Sequence, residues 1–355
     1  VDIGDLEARA AEVLEPAAYA YFSGGADEES TLADNVAAWS RYRLRPRMLR
    51  DVSQVDLTTT VLGQAISTPV MIAPTAYHRL AHPDGECATA RAAATAGTVL
   101  VVSTMATRTI EDIAAAADDA ALWFQLYVHA DRGMTTTLLK RAEAAGYRAL
   151  VVTVDTPRLG NRRRDGLHGF TLPNHAVPVN LAASGVDPSN LPAYAASAFD
   201  PALTYEGIQW LCAQTTLPVV VKGILRGDDA RSAVDAGARA VIVSNHGGRQ
   251  LDGAVATADA LAEVTDAVGD EAEVYVDGGV RRGTDVLRAL AIGARAVFIG
   301  RPALWGLAVD GADGVGAVLD ELRAETELAF TLAGVRSCTD AGRDLIAPPP
   351  RDFVR

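Results

Sequence analysis

Short runs of near-continuous Val, Ile and Leu recur along the chain. Each ends in a polar or glycine-rich turn, and most lead into an Ala-rich stretch. The runs are "PVMIAPT" (69–75), "TVLVVST" (98–104), "ALWFQLYV" (121–128), "ALVVTVD" (149–155), "PVVVKGI" (218–224), "AVIVSNHG" (240–247), "EVYVDGG" (273–279) and "AVFIGRP" (296–302). Apolar runs without polar alternation belong to parallel strands buried on both faces. Segments between them, such as "HPDGECATARAAATAG" and "TDVLRALAIG", carry helix formers and end in Gly. Eight such alternations predict an α/β fold, a (β/α)8 TIM barrel. A doubly wound sheet is the alternative, but no GxGxxG follows the first strand.

One interval breaks the rhythm. The fourth run ends near Asp155 and the fifth starts near Pro218. Residues 156–217 are rich in Pro, Ala, Asn and Ser with little periodicity, so they are expected to form an extended loop with lid character. The segment leaves the C-terminal end of a strand, where barrel enzymes place their active sites. Residues 1–65 are expected to form helices and a hairpin ("VDLTTTVLGQAIST") that cap the barrel, and a helical tail should follow the last strand. The whole chain, 1–355, then reads as one domain.

Composition narrows the class. At 355 residues, 49% hydrophobic and 22% charged, the chain suits one barrel with a large core rather than disorder. No apolar run approaches the roughly 18 residues of a membrane span, and the acidic, amphipathic start does not read as a signal peptide. Cys87, Cys212 and Cys338 are far apart, with neither metal-ligand nor disulfide spacing. That usage fits a reducing cytoplasm and a protein without a metal. The net charge of −13 argues against nucleic acid as a partner. It also means that an anionic ligand must be drawn in by a local basic cluster.

In a barrel, the residues that end each strand converge on one face. They are Pro74, Thr75 and Ala76; Ser103; Gln125 and Tyr127; Thr153 and Asp155; Lys222; Ser244 and His246; Asp277 and Gly279; Gly300 and Arg301. Burying such groups unpaired is costly, so this face should be a site. "VDGGVRRGTD" and "FIGRP" end the seventh and eighth strands. Their glycines, with Arg281 and Arg301, match the phosphate site that barrels build from their last two loops. Lys222 is either a snorkelling lysine or a cation that stabilises charge on a bound ring. "DTPRLGNRRRDG" holds four arginines, of which at least one of Arg162, Arg163 and Arg164 should merely be solvated.

"SNHGGRQLD" (244–252) follows the sixth strand. His exchanges protons near neutral pH, and Arg grips carboxylates with a two-point fork. His246 is therefore expected to be a general base and Arg249 an anion anchor. Asp155 is expected to hold the imidazolium and raise its pKa.

In these motifs the chain resembles the FMN-dependent 2-hydroxy-acid oxidase and dehydrogenase family, which includes glycolate and lactate oxidases, mandelate dehydrogenase and flavocytochrome b2. The likeness runs from "YAYFSGGADEESTLADN" through "IAPTA", "AHPDGE", "FQLYV", "TVDTPRLGNRRRD", "VVKGIL", "SNHGGRQLD" and "DGGVRRGTDV" to "GRP". It implies a barrel binding FMN. Pro74, Thr75, Ala76, Ser103, Gln125, Thr153, Lys222 and Ser244 would meet the flavin ring. Asp277, Gly279, Arg281, Gly300 and Arg301 would hold the ribityl chain and phosphate. Tyr21, Arg162 and Arg249 would bind the substrate carboxylate. Tyr127 would lie near the substrate hydroxyl, and His246, backed by Asp155, would take its proton. A soluble homo-oligomer, a tetramer, and O2 as electron acceptor are also implied.

A related nucleotide-oxidising barrel would need a nucleophilic Cys after the sixth strand, and "SNHGGRQLDGAVAT" has none. A non-catalytic flavin binder would be expected to have lost the His246, Asp155, Tyr127, Arg249 and Tyr21 set. Met105, where glycolate oxidases would carry Trp, and small Ala76 suggest room for an aryl side chain, as in (S)-mandelate or 4-hydroxymandelate. Hydride transfer and a carbanion route both need the same base and stay open.

Overall fold

The computed structural model describes residues 2–117, 120–184, 187 and 189–348. Its centre is a closed barrel of eight parallel strands: β1 (Val70–Ile72), β2 (Val99–Val102), β3 (Ala121–Leu126), β4 (Leu150–Thr153), β5 (Val219–Ile224), β6 (Ala240–Val243), β7 (Glu273–Val276) and β8 (Ala296–Ile299). All eight lie within the runs read from the sequence. The fold is the expected (β/α)8 barrel.

Side chains alternate along each strand. One set packs outward on the helices: Val70, Ile72, Leu100, Val102, Phe124, Leu150 and Val152 are buried there. The other fills the barrel: Met71, Val101, Trp123, Val151, Val220, Ile242, Tyr275 and Phe298. The hairpin Thr59–Val61 with Gln64–Ile66 turns at Leu62 and Gly63, both at positive φ. Its Val61 and Ile66 join this inner cluster, so the hairpin plugs one end. Two residues further along β2 to β7 the inward register turns polar, and on β1 and β8 it reaches Ala73 and Gly300. That step places Ser103, Gln125, Thr153, Lys222, Ser244, Asp277 and Gly300 at the other end.

Residues 156–217 are more ordered than their composition suggests. They hold α-helices Arg163–Leu167, Leu191–Ala198 and Tyr205–Gln214, with 3-10 turns at Asn174–Ala176 and Val179–Ser184. The expectation of a loop with little periodicity is corrected here: the helices are short, and the first of them buries no residue, so they leave little repeat in the sequence. Phe199 stacks on Tyr127 with centroids 4.4 Å apart, and Phe170 stacks on Tyr21 at 4.5 Å. The last barrel helix and the expected tail are one element, Arg301–Ala333, broken at Asp310 and Gly311. No described helix is long and apolar enough to cross a membrane.

Candidate active site

The polar end of the barrel forms two hydrogen-bonded arcs. In the first, Gln125 Nε2 donates to Thr153 Oγ1 at 3.0 Å and Ser103 Oγ donates to Gln125 Oε1 at 3.3 Å. In the second, Lys222 Nζ donates to Ser244 Oγ at 3.0 Å, and Ser244 Oγ donates to Asp277 Oδ2 at 2.9 Å. Lys222 is also 3.4 Å from Asp277 Oδ2. It is buried and paired, so the snorkelling reading does not hold. Asp277 Oδ1 is buried with no partner.

Above this ring lies a cavity lined by Pro74, Thr75, Ala76, Ser103, Met105, Tyr127, Lys222, His246, Gly279, Gly300 and other residues named below. Gln125, Thr153, Ser244 and Asp155 do not line it; they sit behind those that do. The lining brings together Arg162, Arg249, Arg281, Arg301 and Lys222, with Asp277 as its carboxylate. In a chain of net charge −13 this is a local reversal of sign. Burial depresses Arg301 to about 9, with Arg249 and Arg281 adding to the effect. Burial, then Arg162, depresses Arg249 to about 10. A cluster in this state favours anionic ligands.

The arginines are held largely by backbone carbonyls. Arg249 Nη1 donates to the carbonyls of Tyr21 and Gly24 at 2.6 and 2.7 Å, and its guanidinium lies 4.8 Å from the Tyr21 ring centroid. Arg301 donates to Phe22, Gly247 and Gly24. Both therefore cap the carbonyl end of helix Pro16–Ser23, where the helix dipole favours cations. Arg281 Nη1 donates to the carbonyl of Val280, and the Asp285 carboxylate accepts from the backbone N–H groups of Arg281 and Arg282.

The run "NRRR" divides cleanly. Arg162 turns into the cavity, and its Nε is buried without a partner. Arg163 pairs with Glu28 and Arg164 with Glu29 at the surface. Asn161 Nδ2 donates to Asp27.

His246 sits at the cavity mouth with φ +60, an uncommon backbone for a residue with a Cβ. Its amide donates to Ser244 Oγ at 3.1 Å, and its Nδ1 is 2.9 Å from Asp155 Oδ1. Nε2 is left as the ring nitrogen free for chemistry. Asp155 raises the imidazole pKa as expected, but the net shift is downward: burial pulls it below the ordinary histidine range, Lys222 and Arg162 add to that, and Asp155 opposes without reversing it. Burial alone would raise Asp155, but His246 and Lys222 more than compensate and keep it ionised. Tyr127 is pushed up by burial, then by Asp155, and stays a neutral phenol.

Several contributors were missed by sequence reasoning. Gln250 Nε2 ties the loop after β6 to the carbonyls of Asp155 and Arg158. Asp252 accepts from Ser30 Oγ and from the amides of Thr31 and Glu28, so it caps helix Ser30–Ala38 from 222 residues away. Asn35 on that helix exchanges two amide hydrogen bonds with Asn245. The two glycines of "DGGVRR" have a reason other than exposing N–H groups: a Cβ on Gly279 would lie 1.9 Å from the Asn35 carbonyl oxygen. Phe170, Phe199, Leu159 and Tyr77 gave no periodic signal, only isolated apolar residues in polar surroundings.

Known proteins resemble this chain over nearly its whole length. A family model described as FMN-dependent dehydrogenase matches residues 10–348. Human 2-hydroxyacid oxidase 1 is 49% identical, covering 98% of this chain and 96% of its own. An L-lactate oxidase of Nostoc is 50% identical over 96% of both. A solved structure of mandelate oxidase is 44% identical with TM-score 0.91 and covers 97% of each chain. The chain belongs to the FMN-dependent dehydrogenase family, and FMN is its cofactor.

Proposed function

We propose that this FMN-dependent 2-hydroxy-acid oxidase acts on aryl (S)-2-hydroxy acids, (S)-mandelate or its 4-hydroxy form. The products would be the 2-oxo acid and, with O2 as acceptor, H2O2. The observation that carries the reading is one cavity that gathers Arg162, Arg249, Arg281 and Arg301 beside His246, with Ala76, Met105, Leu159 and Phe199 as apolar lining.

The residues present fit FMN. Its ring needs hydrogen-bonding partners, its ribityl chain carries hydroxyl donors, and its phosphate needs cations. Lys222 and Ser103 lie in the lining, with Gln125, Thr153 and Ser244 behind them, and Pro74, Thr75 and Ala76 would flank the ring. The orphaned Asp277 Oδ1 suits a hydroxyl donor. Arg281 and Arg301, beside Gly279 and Gly300, would hold the phosphate. When bound, FMN supplies a two-electron acceptor for the substrate's α-carbon.

The chain's own residues do the rest. Arg162, Arg249 and Tyr21 hold the substrate carboxylate, and the Tyr127 hydroxyl orients the substrate hydroxyl. Because its pKa is depressed, His246 is neutral at pH 7, and its Nε2 can take the substrate proton. Asp155 then stabilises the imidazolium that forms. Leu159, Arg162 and Phe199 of the 156–217 segment cover the site as a lid and exclude water, and Phe170 backs Tyr21 from behind.

A second reading, a small aliphatic 2-hydroxy acid, is favoured by the identity to 2-hydroxyacid oxidase 1 and L-lactate oxidase. Oxygen uptake with glycolate, L-lactate, (S)-mandelate and 4-hydroxymandelate separates the two. A buried phenyl ring contributes roughly 1.5–3 kcal/mol, so kcat/KM should favour the aryl acids by about tenfold to a hundredfold. Comparable values for glycolate and mandelate would select the aliphatic reading.

A further inference from the structure

Gly223, in strand β5, sits at φ +112. The pairing with β6 slips there: Lys222 lies opposite Ile242, while Ile224 lies opposite Val243. Such a bulge re-aims the side chains around it. A Cβ built on Gly223 would lie 2.8 Å from Asp155 Cβ, 2.9 Å from Asp155 Cγ and 3.0 Å from Asp155 N. Asp155 therefore occupies the space that a side chain at 223 would take.

The Asp155 carboxylate is held through one oxygen only. Oδ1 takes His246 Nδ1 at 2.9 Å and Thr156 Oγ1 at 3.0 Å, whereas Oδ2 is buried with no partner. No donor fixes the second oxygen, so packing must set the direction of the carboxylate. The backbone of Gly223 supplies that packing surface.

We propose that Gly223 is a positioning residue for catalysis: the bulge without a Cβ seats Asp155 against His246 and so sets the basicity of the imidazole. The inference rests on His246 being the base. The charged and titratable groups facing the pair are Lys222 and Arg162 toward His246, and Lys222 and Tyr127 toward Asp155. Of these, Asp155 is the group that raises His246 and the one that a Cβ on 223 would displace.

The test is Gly223→Ala, followed by FMN content, substrate KM, kcat and the pH profile of kcat/KM. A misplacement on the ångström scale can cost on the order of 10²-fold in rate. The expected result is a kcat lowered by about tenfold to a hundredfold, with FMN retained and KM little changed. The acid limb of kcat/KM should move to lower pH, because the carboxylate that raises His246 has withdrawn. In an Asp155→Gly background the strain of φ +112 and the contact with the residue-155 amide remain, so adding Gly223→Ala should leave the acid limb of kcat/KM where Asp155→Gly alone puts it, whatever it does to kcat or stability.

An unmoved pH profile, or a further shift of the acid limb in the Asp155→Gly background, would overturn the proposal. Loss of FMN with an unmoved profile would assign the bulge to Lys222 instead. If Gly223→Ala does not fold, Asp155→Glu tests the same seat from the other side: the longer side chain no longer fits against Gly223, so kcat should fall and the acid limb should move, and a wild-type profile would overturn the proposal. If His246→Asn retains flavin reduction, the underlying assignment of the base fails, whatever Gly223 does.

Discussion

The barrel rim and the cap laid over it meet at one cavity, but they are assembled over very different distances in the chain. On the rim, Lys222, Ser244 and Asp277 lie on adjacent strands, each two positions beyond an apolar inward residue. On the cap, the partners are remote: Asn161, next to Arg162 in the chain, meets Asp27 across 134 residues, and Asp252 meets Ser30 across 222. The rim should therefore tolerate changes in the cap, and the cap should tune substrate without controlling the flavin.

The largest expected effect separates chemistry from binding. His246→Asn should lower the rate of flavin reduction by about 10²–10⁴-fold, the usual loss when a general base is removed, with FMN retained. Anaerobic stopped-flow measures it, and reduction at a near wild-type rate would break the assignment.

Asp155→Asn should lower the rate less. Its sharper signature is in pH. The base works unprotonated, so activity falls as pH drops through the His246 pKa, which burial holds below 6.5. Removing Asp155 takes away a raising influence, so the acid limb of kcat/KM should move lower still. A limb that moves upward would mean that Asp155 was not facing the imidazole.

Phe170→Ala probes the cap alone. An aromatic pair contributes roughly 0.5–1.5 kcal/mol beyond its buried area, so KM should rise by roughly twofold to tenfold as Tyr21 loses its stacking partner, with FMN affinity unchanged. Loss of FMN would show that cap and rim are coupled. The smallest effect is expected from Arg163→Ala: its ion pair is exposed and should be worth less than about 1 kcal/mol. Thermal unfolding and steady-state kinetics should both stay near wild type.

This contrast explains what could be read from the chain. Eight apolar runs announce eight strands because burial on both faces removes polar alternation, and the period of two then points each terminal polar residue inward. Hence Ser103, Gln125, Thr153, Lys222, Ser244 and Asp277 were all legible. The cap was not. Whether Arg162, Arg163 or Arg164 enters the cavity depends on Glu28 and Glu29 claiming the other two, and nothing local to "NRRR" encodes that. The sign of the His246 shift was also hidden, because it is a balance between burial, which needs the whole fold, and one carboxylate, which the motif supplies. Asp252 looks like the end of a signature and acts as the cap of a helix near the N-terminus.

The central claim is that the cavity has two anion sites with different owners: Arg249 for substrate on the cap side, and Arg281 for the cofactor on the rim. Arg249→Met tests it most directly, by titrating the FMN-loaded variant with benzoylformate and following the flavin spectrum. The account predicts that FMN stays bound while the 2-oxo acid binds far more weakly than to wild type. A variant that sheds FMN yet, when reloaded, binds benzoylformate as tightly as wild type would contradict it.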